Sequence, residues 1–172
     1  MIRLARPDET ALLPAIEHDS DQTMRQTPYA YIADLPPLAA DHYREAVAGG
    51  TTWVATVQDD RPEGFVACVV KDDGLVVAQL SVRQSAQKRG LGRALMQATI
   101  DWARASGQPR LMLTTFIDVP FNAPFYRRLG FEAVAATDLT PSLKHMLAHE
   151  AEQGHDPAKR VGMALDLTGS PP

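Results

Sequence analysis

The segment Gln87-Lys88-Arg89-Gly90-Leu91-Gly92-Arg93 has the clearest chemical potential in the chain. It follows a β-rich apolar run, Leu75 to Val82, and opens a helical pattern, so it reads as a strand-to-helix loop. A helix N-terminus presents N–H groups without intrahelical partners and the positive end of the helix dipole. Gly90 and Gly92 lack a Cβ, so an anion can come close to the backbone. Lys88, Arg89 and Arg93 add local positive charge to a chain whose formal net charge is −4. The chemistry indicated is capture of a phosphate group. The bland alternative is a tight turn without a ligand, and the basic cluster argues against it. Spacing excludes two common motifs. No Gly-Lys-Ser/Thr occurs, as a P-loop requires, and position 95 is Leu where a dinucleotide fingerprint starting at Gly90 needs glycine. What remains is Gln87-x-x-Gly90-x-Gly92.

A second constellation follows, Asn122-Ala123-Pro124-Phe125-Tyr126-Arg127-Arg128-Leu129-Gly130-Phe131-Glu132. It reads as a short helix, Ala123 to Leu129, closed by Gly130 as a left-handed C′ residue, with a strand starting at Phe131. Together the two segments resemble the GNAT superfamily of N-acetyltransferases, which use acetyl-CoA. The first matches the family's pyrophosphate motif after a strand ending in Leu-Ser-Val. The second resembles its N-x-x-A-x-x-F-Y-x-x-x-G-F segment, with the spacing from Asn to Phe-Tyr slightly shortened. The resemblance implies that Gln87, Lys88, Arg89, Gly90, Leu91, Gly92 and Arg93 hold the pyrophosphate, with backbone ranked above side chains. Leu80, Ser81 and Val82 would bond the pantetheine amides like an added strand, Asn122 and Phe125 would contact the CoA arm, and Tyr126 would sit near the thioester sulfur. A phenol of unperturbed pKa about 10 suits protonation of a leaving thiolate, so Tyr126 is the expected general acid rather than only a core aromatic.

The resemblance implies transfer of an acetyl group from acetyl-CoA to a primary amine, of a small molecule, by direct attack in a ternary complex. Alternatives from other classes are acetylation of a protein N-terminus or lysine, and a non-catalytic acyl-CoA sensor. Many relatives place a Glu on the strand before the glycine loop, whereas this strand carries Val76, Val77, Ala78 and Gln79. A base would come from Asp118, from Glu17, His18, Asp19 or Asp21, or from ordered water; for each side chain the simpler reading is a solvated surface charge. Tyr29 and Tyr31 are candidates to line the acceptor site, with Asp118, while Trp53 reads as core. His145 and His149 stand i, i+4 without an H-E-x-x-H motif or an evident third ligand, so no metal is expected.

The elements that must position these residues follow from composition and pattern. At 172 residues and 45% hydrophobic, the chain can bury a real core, and residues 1–168 are expected to form one GNAT-like domain with a frayed tail at 169–172. The single cysteine, Cys68, reads as a small buried side chain and favours a reducing, cytoplasmic location. Neither a signal peptide nor a membrane span is apparent, and the acidic balance does not suit nucleic acid. Strands are expected at Met1–Ala5, Thr51–Val57, Gly64–Lys71, Leu75–Val82, Arg110–Phe116, Phe131–Ala136 and Arg160–Leu167. Helices are expected from Asp8, as N-cap, to Asp19, over Leu38–Ala48, Gly90–Ser106 and Ala123–Leu129, and from Pro141 to about Gln153. Ser20 to Pro37 is a loop or broken helix. The fold class is α/β (α+β): a mixed, mostly antiparallel central sheet flanked by helices. By resemblance, a splay between strands Leu75–Val82 and Arg110–Phe116 would take the pantetheine arm. The helix after Pro141 is an elaboration that lies at the substrate side or covers a strand edge, and a homodimer through the last strands fits the family.

Overall fold

The computed structural model describes residues 1–57 and 59–169; Ser170 to Pro172, in the expected tail, lie outside it. The strands β1 (Ile2–Leu4), β2 (Thr52–Thr56), β3 (Pro62–Lys71), β4 (Gly74–Val82), β5 (Arg110–Phe116), β6 (Glu132–Ala133) and β7 (Arg160–Asp166) hydrogen-bond in the order β1-β2-β3-β4-β5-β7-β6. They fall into two compact units, one of Met1–Val69 with Ala78–Asp101, the other of Val70–Val77 with the chain from Trp102 onward.

The first unit begins with β1 (Ile2–Leu4), α1 (Leu13–Asp21), α2 (Asp41–Ala48), β2 (Thr52–Thr56) and β3 (Pro62–Lys71). β1 pairs antiparallel with β2, and β2 with β3. The core on this sheet face joins Leu13, Ile16, Tyr43, Val47, Val54, Phe65 and Ala67. Tyr43 and Phe65 meet edge to face, with ring centroids 5.2 Å apart. The helix expected from Asp8 starts later. Residues Pro7–Leu12 form a 3₁₀ turn, and the carboxylate accepting the free N–H of Arg6 belongs to Glu9, at 2.8 Å. Asp8 is therefore not the cap. The stretch 20–37 is a broken helix, with 3₁₀ turns at Gln22–Gln26 and Ala30–Asp34.

β4 (Gly74–Val82) and α3 (Leu91–Ala105) each contribute residues to both units. The inward face of α3 is Leu95, Met96, Thr99, Ile100 and Ala103, all buried. Leu91, Ala94, Ala98 and Trp102 of the same helix are only partly covered. The buried stripe is thus a narrow one, following the helical period through Leu95, Thr99 and Ala103.

The second unit contains β5 (Arg110–Phe116), α4 (Ala123–Arg127), β6 (Glu132–Ala133), α5 (Pro141–Glu152) and β7 (Arg160–Asp166). β5 and β7 pair antiparallel along their whole length, from Arg110↔Asp166 to Phe116↔Arg160. β6 is much shorter than Phe131–Ala136, because after Val134 the chain turns back through an Asp138 N–H to Ala135 O bond. Within the second unit, β4 and β5 pair in parallel at Leu75↔Leu111 and Val76↔Met112.

α5 starts as its residues dictate, with Thr140 accepting the Leu143 N–H and Pro141 at the first helical position. It lies on a sheet face, not along an edge. Leu143 is fully buried with Val76 and Met112, and Val134, Leu139, Met146 and Ala164 pack around them. Gly162 permits this approach, since a Cβ there would meet Leu139 Cδ2 at 3.1 Å and Leu143 at 3.3 Å. Seven residues along the helix from Leu143, Glu150 takes a two-pronged bond from Arg160 and a bond from Thr114, and the Arg160 guanidinium stacks 4.3 Å from the Phe116 ring centre. The expectation of an edge cover is thus corrected.

Candidate active site

The basic loop is shaped by its own residues. After β4 a 3₁₀ turn, Gln84–Ala86, tucks in the buried Ala86. The Gln87 side-chain amide then donates back to Val82 O at 2.9 Å and to Thr23 Oγ1 at 3.1 Å. Gln87 thus braces the loop from inside. Lys88 and Gly90 both adopt left-handed backbone, with φ of +60° and +80°. Around Gly90 nothing lies within 4 Å of where a Cβ would stand. The first bond into α3 runs from Ala94 N–H to Gly90 O, so the N–H groups of Leu91, Gly92 and Arg93 precede it. Successive backbone N–H groups in such turn conformations can form a concavity that takes an anion. The side chains of Lys88, Arg89 and Arg93 are exposed. The arrangement fits a diphosphate held mainly by backbone, in a positive field.

Upstream of the loop, β4 is buried at Gly74–Val77 and at Ser81–Val82, but Ala78 is exposed and Gln79 and Leu80 are partly so. The end of the strand is held tightly. Arg83 N–H bonds Glu63 O at 2.8 Å, and a Cβ on Gly64 would come within 2.9 Å of Ser81 O. Glycine at position 64 therefore lets β3 lie against the Leu80–Val82 segment.

In the second unit, Asn122 precedes α4 and its carbonyl accepts the N–H groups of Phe125 and Tyr126 at 2.8 and 3.1 Å. Gly130 is left-handed, with φ +92°, and Phe131 N–H closes back on Tyr126 O at 3.1 Å, as the C-terminal glycine predicts. Tyr126 is half-buried, edge-on to Phe125 and to the buried Phe131. That packing fixes the ring axis while the residue keeps some exposure. Asp118 is ion-paired with Lys159 at 3.2 Å. Beside it, Ile117 and Phe121 are apolar and exposed, a feature the sequence pattern did not single out.

The remaining candidates scatter. Tyr29 and Trp53 go into the core, while Tyr31 is 43% exposed. Asp19 accepts the Gln84 N–H at 2.7 Å. Glu17 departs from the surface-charge reading. It is 6% exposed, accepts the Tyr43 hydroxyl at 2.7 Å and the Leu38 N–H at 3.3 Å, and burial pushes its carboxyl above the usual range despite these bonds. Asp21, one turn on, is pushed up to about 7, first by burial and then by the Glu17 charge. Helical spacing contained the signal, since Glu17 shares the buried stripe of Leu13 and Ile16. His145 and His149 stack on exposed α5, and among the described residues no group of three His, Cys, Asp or Glu side chains is placed to hold a metal. No described helix is long and apolar enough to cross a membrane.

Comparison with known proteins gives the same picture. Rv2747 of Mycobacterium tuberculosis, solved in complex with CoA, matches with a TM-score of 0.65 at 18% identity over 96% of this chain and 98% of its own. The ribosomal-protein-S18-alanine N-acetyltransferase of Escherichia coli matches with a TM-score of 0.69 at 18% identity, over 99% and 96%. N-acetylglutamate synthase of Neisseria gonorrhoeae, complexed with coenzyme A and N-acetyl-glutamate, matches with a TM-score of 0.71 at 17% identity; 98% of this chain aligns with 35% of that one. At these identities the likeness establishes the fold. The profile of the Acetyltransferase (GNAT) family matches residues 15–131, which include the glycine loop and the Asn122–Phe131 segment. With the profile spanning more than half of the chain and taking in both segments, the chain belongs to the GNAT acetyltransferase family.

Proposed function

We propose that residues 1–168 act as one acetyltransferase domain that passes the acetyl group of acetyl-CoA to a primary amine of a small molecule, by direct attack in a ternary complex. The observation that carries this reading is the loop with left-handed Lys88 and Gly90 leading into α3, inside the stretch that the family profile matches. The backbone of Gln87–Gly92 would hold the diphosphate, and Lys88, Arg89 and Arg93 would strengthen the field. The main chain of Leu80, Ser81 and Val82 would pair with the pantetheine amides, and Asn122 and Phe125 would hold the arm. The amine nitrogen bonds to the thioester carbon and the carbon–sulfur bond breaks. The departing sulfur takes a proton from Tyr126, and the nitrogen gives its surplus proton to water. No cysteine serves as a covalent relay, because Cys68, the chain's only one, is buried and desolvation pushes its thiol up. Support for a small acceptor comes from α5, which adds cover over one face of β5 and β7.

The test is thiol release from acetyl-CoA across polyamines, amino acids, aminoglycosides and peptides, with calorimetry of acetyl-CoA alone. Release with a small amine is the expected result. Release with the peptides only would transfer the reading to protein acetylation, which the likeness to the ribosomal-protein enzyme keeps in view. Binding without any release points to a sensor, and failure to bind acetyl-CoA overturns the loop assignment.

A further inference from the structure

β4 opens in its middle, at Ala78, Gln79 and Leu80, between buried ends. A half-covered strand alternates, so three successive open residues mark a gap in its cover. Within that gap the Gln79 side chain is not loose. Its Nε2 donates to Ser81 Oγ at 2.9 Å, and Ser81, two residues on and on the same strand face, is 1% exposed. The amide is clamped to a buried hydroxyl. Among the described residues no other partner lies within hydrogen-bonding distance of it, so Oε1 and one N–H remain to be used. If the proposed function holds, the acyl-CoA arm enters from the Gln87–Gly92 end and pairs at Val82 to Leu80. Its acetyl end then arrives at Gln79. β4 has no carboxylate, so the polar side chain at that level is a neutral amide.

We infer that Gln79, clamped by Ser81, orients the acceptor amine by accepting one of its N–H hydrogens at Oε1. An amide cannot take the proton. It turns the nitrogen lone pair toward the thioester carbon, and the acceptor must reach it as the neutral amine, losing one of its two protons to water after attack. Gln79 is the substrate-contacting group and Ser81 the positioning residue behind it. This inference rests on the acetyltransferase reading above, and the measurements separate the two.

The experiment titrates spermidine, lysine, kanamycin and an alanine-initiated tetrapeptide into ¹⁵N-labelled protein saturated with CoA, and follows the Gln79 side-chain NH₂ signal, assigned by its loss in Gln79→Leu. The expected result is movement of that signal by at least one of the four amines. For that amine kcat/KM should fall about tenfold in Gln79→Leu, while acetyl-CoA affinity by calorimetry stays within about twofold. Ser81→Ala should give a smaller loss and add nothing on top of Gln79→Leu, as expected of residues acting as one unit. Gln79→Glu, a second variant of the same size, should add an acid limb to a pH profile that otherwise follows the ionisation of the amine. The inference is overturned if none of the four amines moves the signal, or if Gln79→Leu weakens acetyl-CoA as much as the amine. Wild-type protein that does not bind acetyl-CoA would overturn the proposed function itself, whereas turnover unchanged by Gln79→Leu overturns this inference alone.

Discussion

The Lys88–Gly90 loop and the Glu17–Asp21 face of α1 belong to one compact unit and handle charge in opposite ways. In the loop the cations stay in water, and the groups suited to an anion are backbone N–H groups set by two left-handed residues. The fold loses little by it beyond some strain at Lys88. On α1 the carboxylate of Glu17 is buried with a tyrosine hydroxyl and a backbone N–H for partners instead of a cation, and a second carboxylate lies one turn away. Desolvation exceeds what those donors return, so both groups hold protons more tightly than in water. A site made of backbone geometry leaves stability almost untouched, while a polar centre made by burial writes its cost into the pH dependence of folding.

That contrast can be broken at several points. The largest effect is expected from Tyr126→Phe, which should lower kcat about a hundredfold while calorimetry finds acetyl-CoA affinity unchanged, the signature of a proton donor. Gly90→Val comes next. A β-branched residue resists φ +80°, so acetyl-CoA affinity should fall at least about tenfold, with a stability loss of no more than about 1–3 kcal/mol from the strained residue. A variant that instead unfolds would show that the loop carries stability after all.

Tyr43→Phe is the mirror experiment. It removes the hydroxyl that Glu17 accepts and should cost about 1–2 kcal/mol in denaturant unfolding at pH 8, with acetyl-CoA binding intact. Loss of binding there would mean that the two regions are coupled. Because the folded-state values of Glu17 and Asp21 lie above those of an unfolded carboxylate, their contribution is fullest below about pH 4 and is lost as pH rises, for Asp21 through about 7. Asp21→Asn should therefore stabilise the protein at pH 8, by about 1 kcal/mol after discounting for partial exposure, and by less at pH 5. The smallest effect is expected at Thr52, whose buried hydroxyl has no partner among the described residues. Thr52→Val keeps the branched shape and should raise stability by under about 1 kcal/mol in the same unfolding assay.

How far each region was legible follows from how far apart its partners lie in the chain. The glycine loop and the Asn122–Phe131 segment are contiguous, and their geometry comes from bonds such as Gln87 to Val82, five residues apart. Residue type and spacing were enough to point to them. α5 announced itself by Thr140 and Pro141, but the face it covers depends on Gly162 and on the contacts of Glu150 with Arg160 and Thr114, which no local pattern encodes. Glu17 looked like surface charge because its partner, Tyr43, is 26 residues away. The pairing of Gln79 with Ser81 is local, yet only the buried state of Ser81 makes it a clamp.

By itself, then, the sequence determined the element order, the glycine-loop turn into α3 and the candidate acid, because glycine conformation, capping and short-range hydrogen bonds are properties of adjacent residues. Only the tertiary structure decided which carboxylates lose water and which face α5 covers. Strand pairing, desolvation and packing depend on residues that folding brings together from distant parts of the chain.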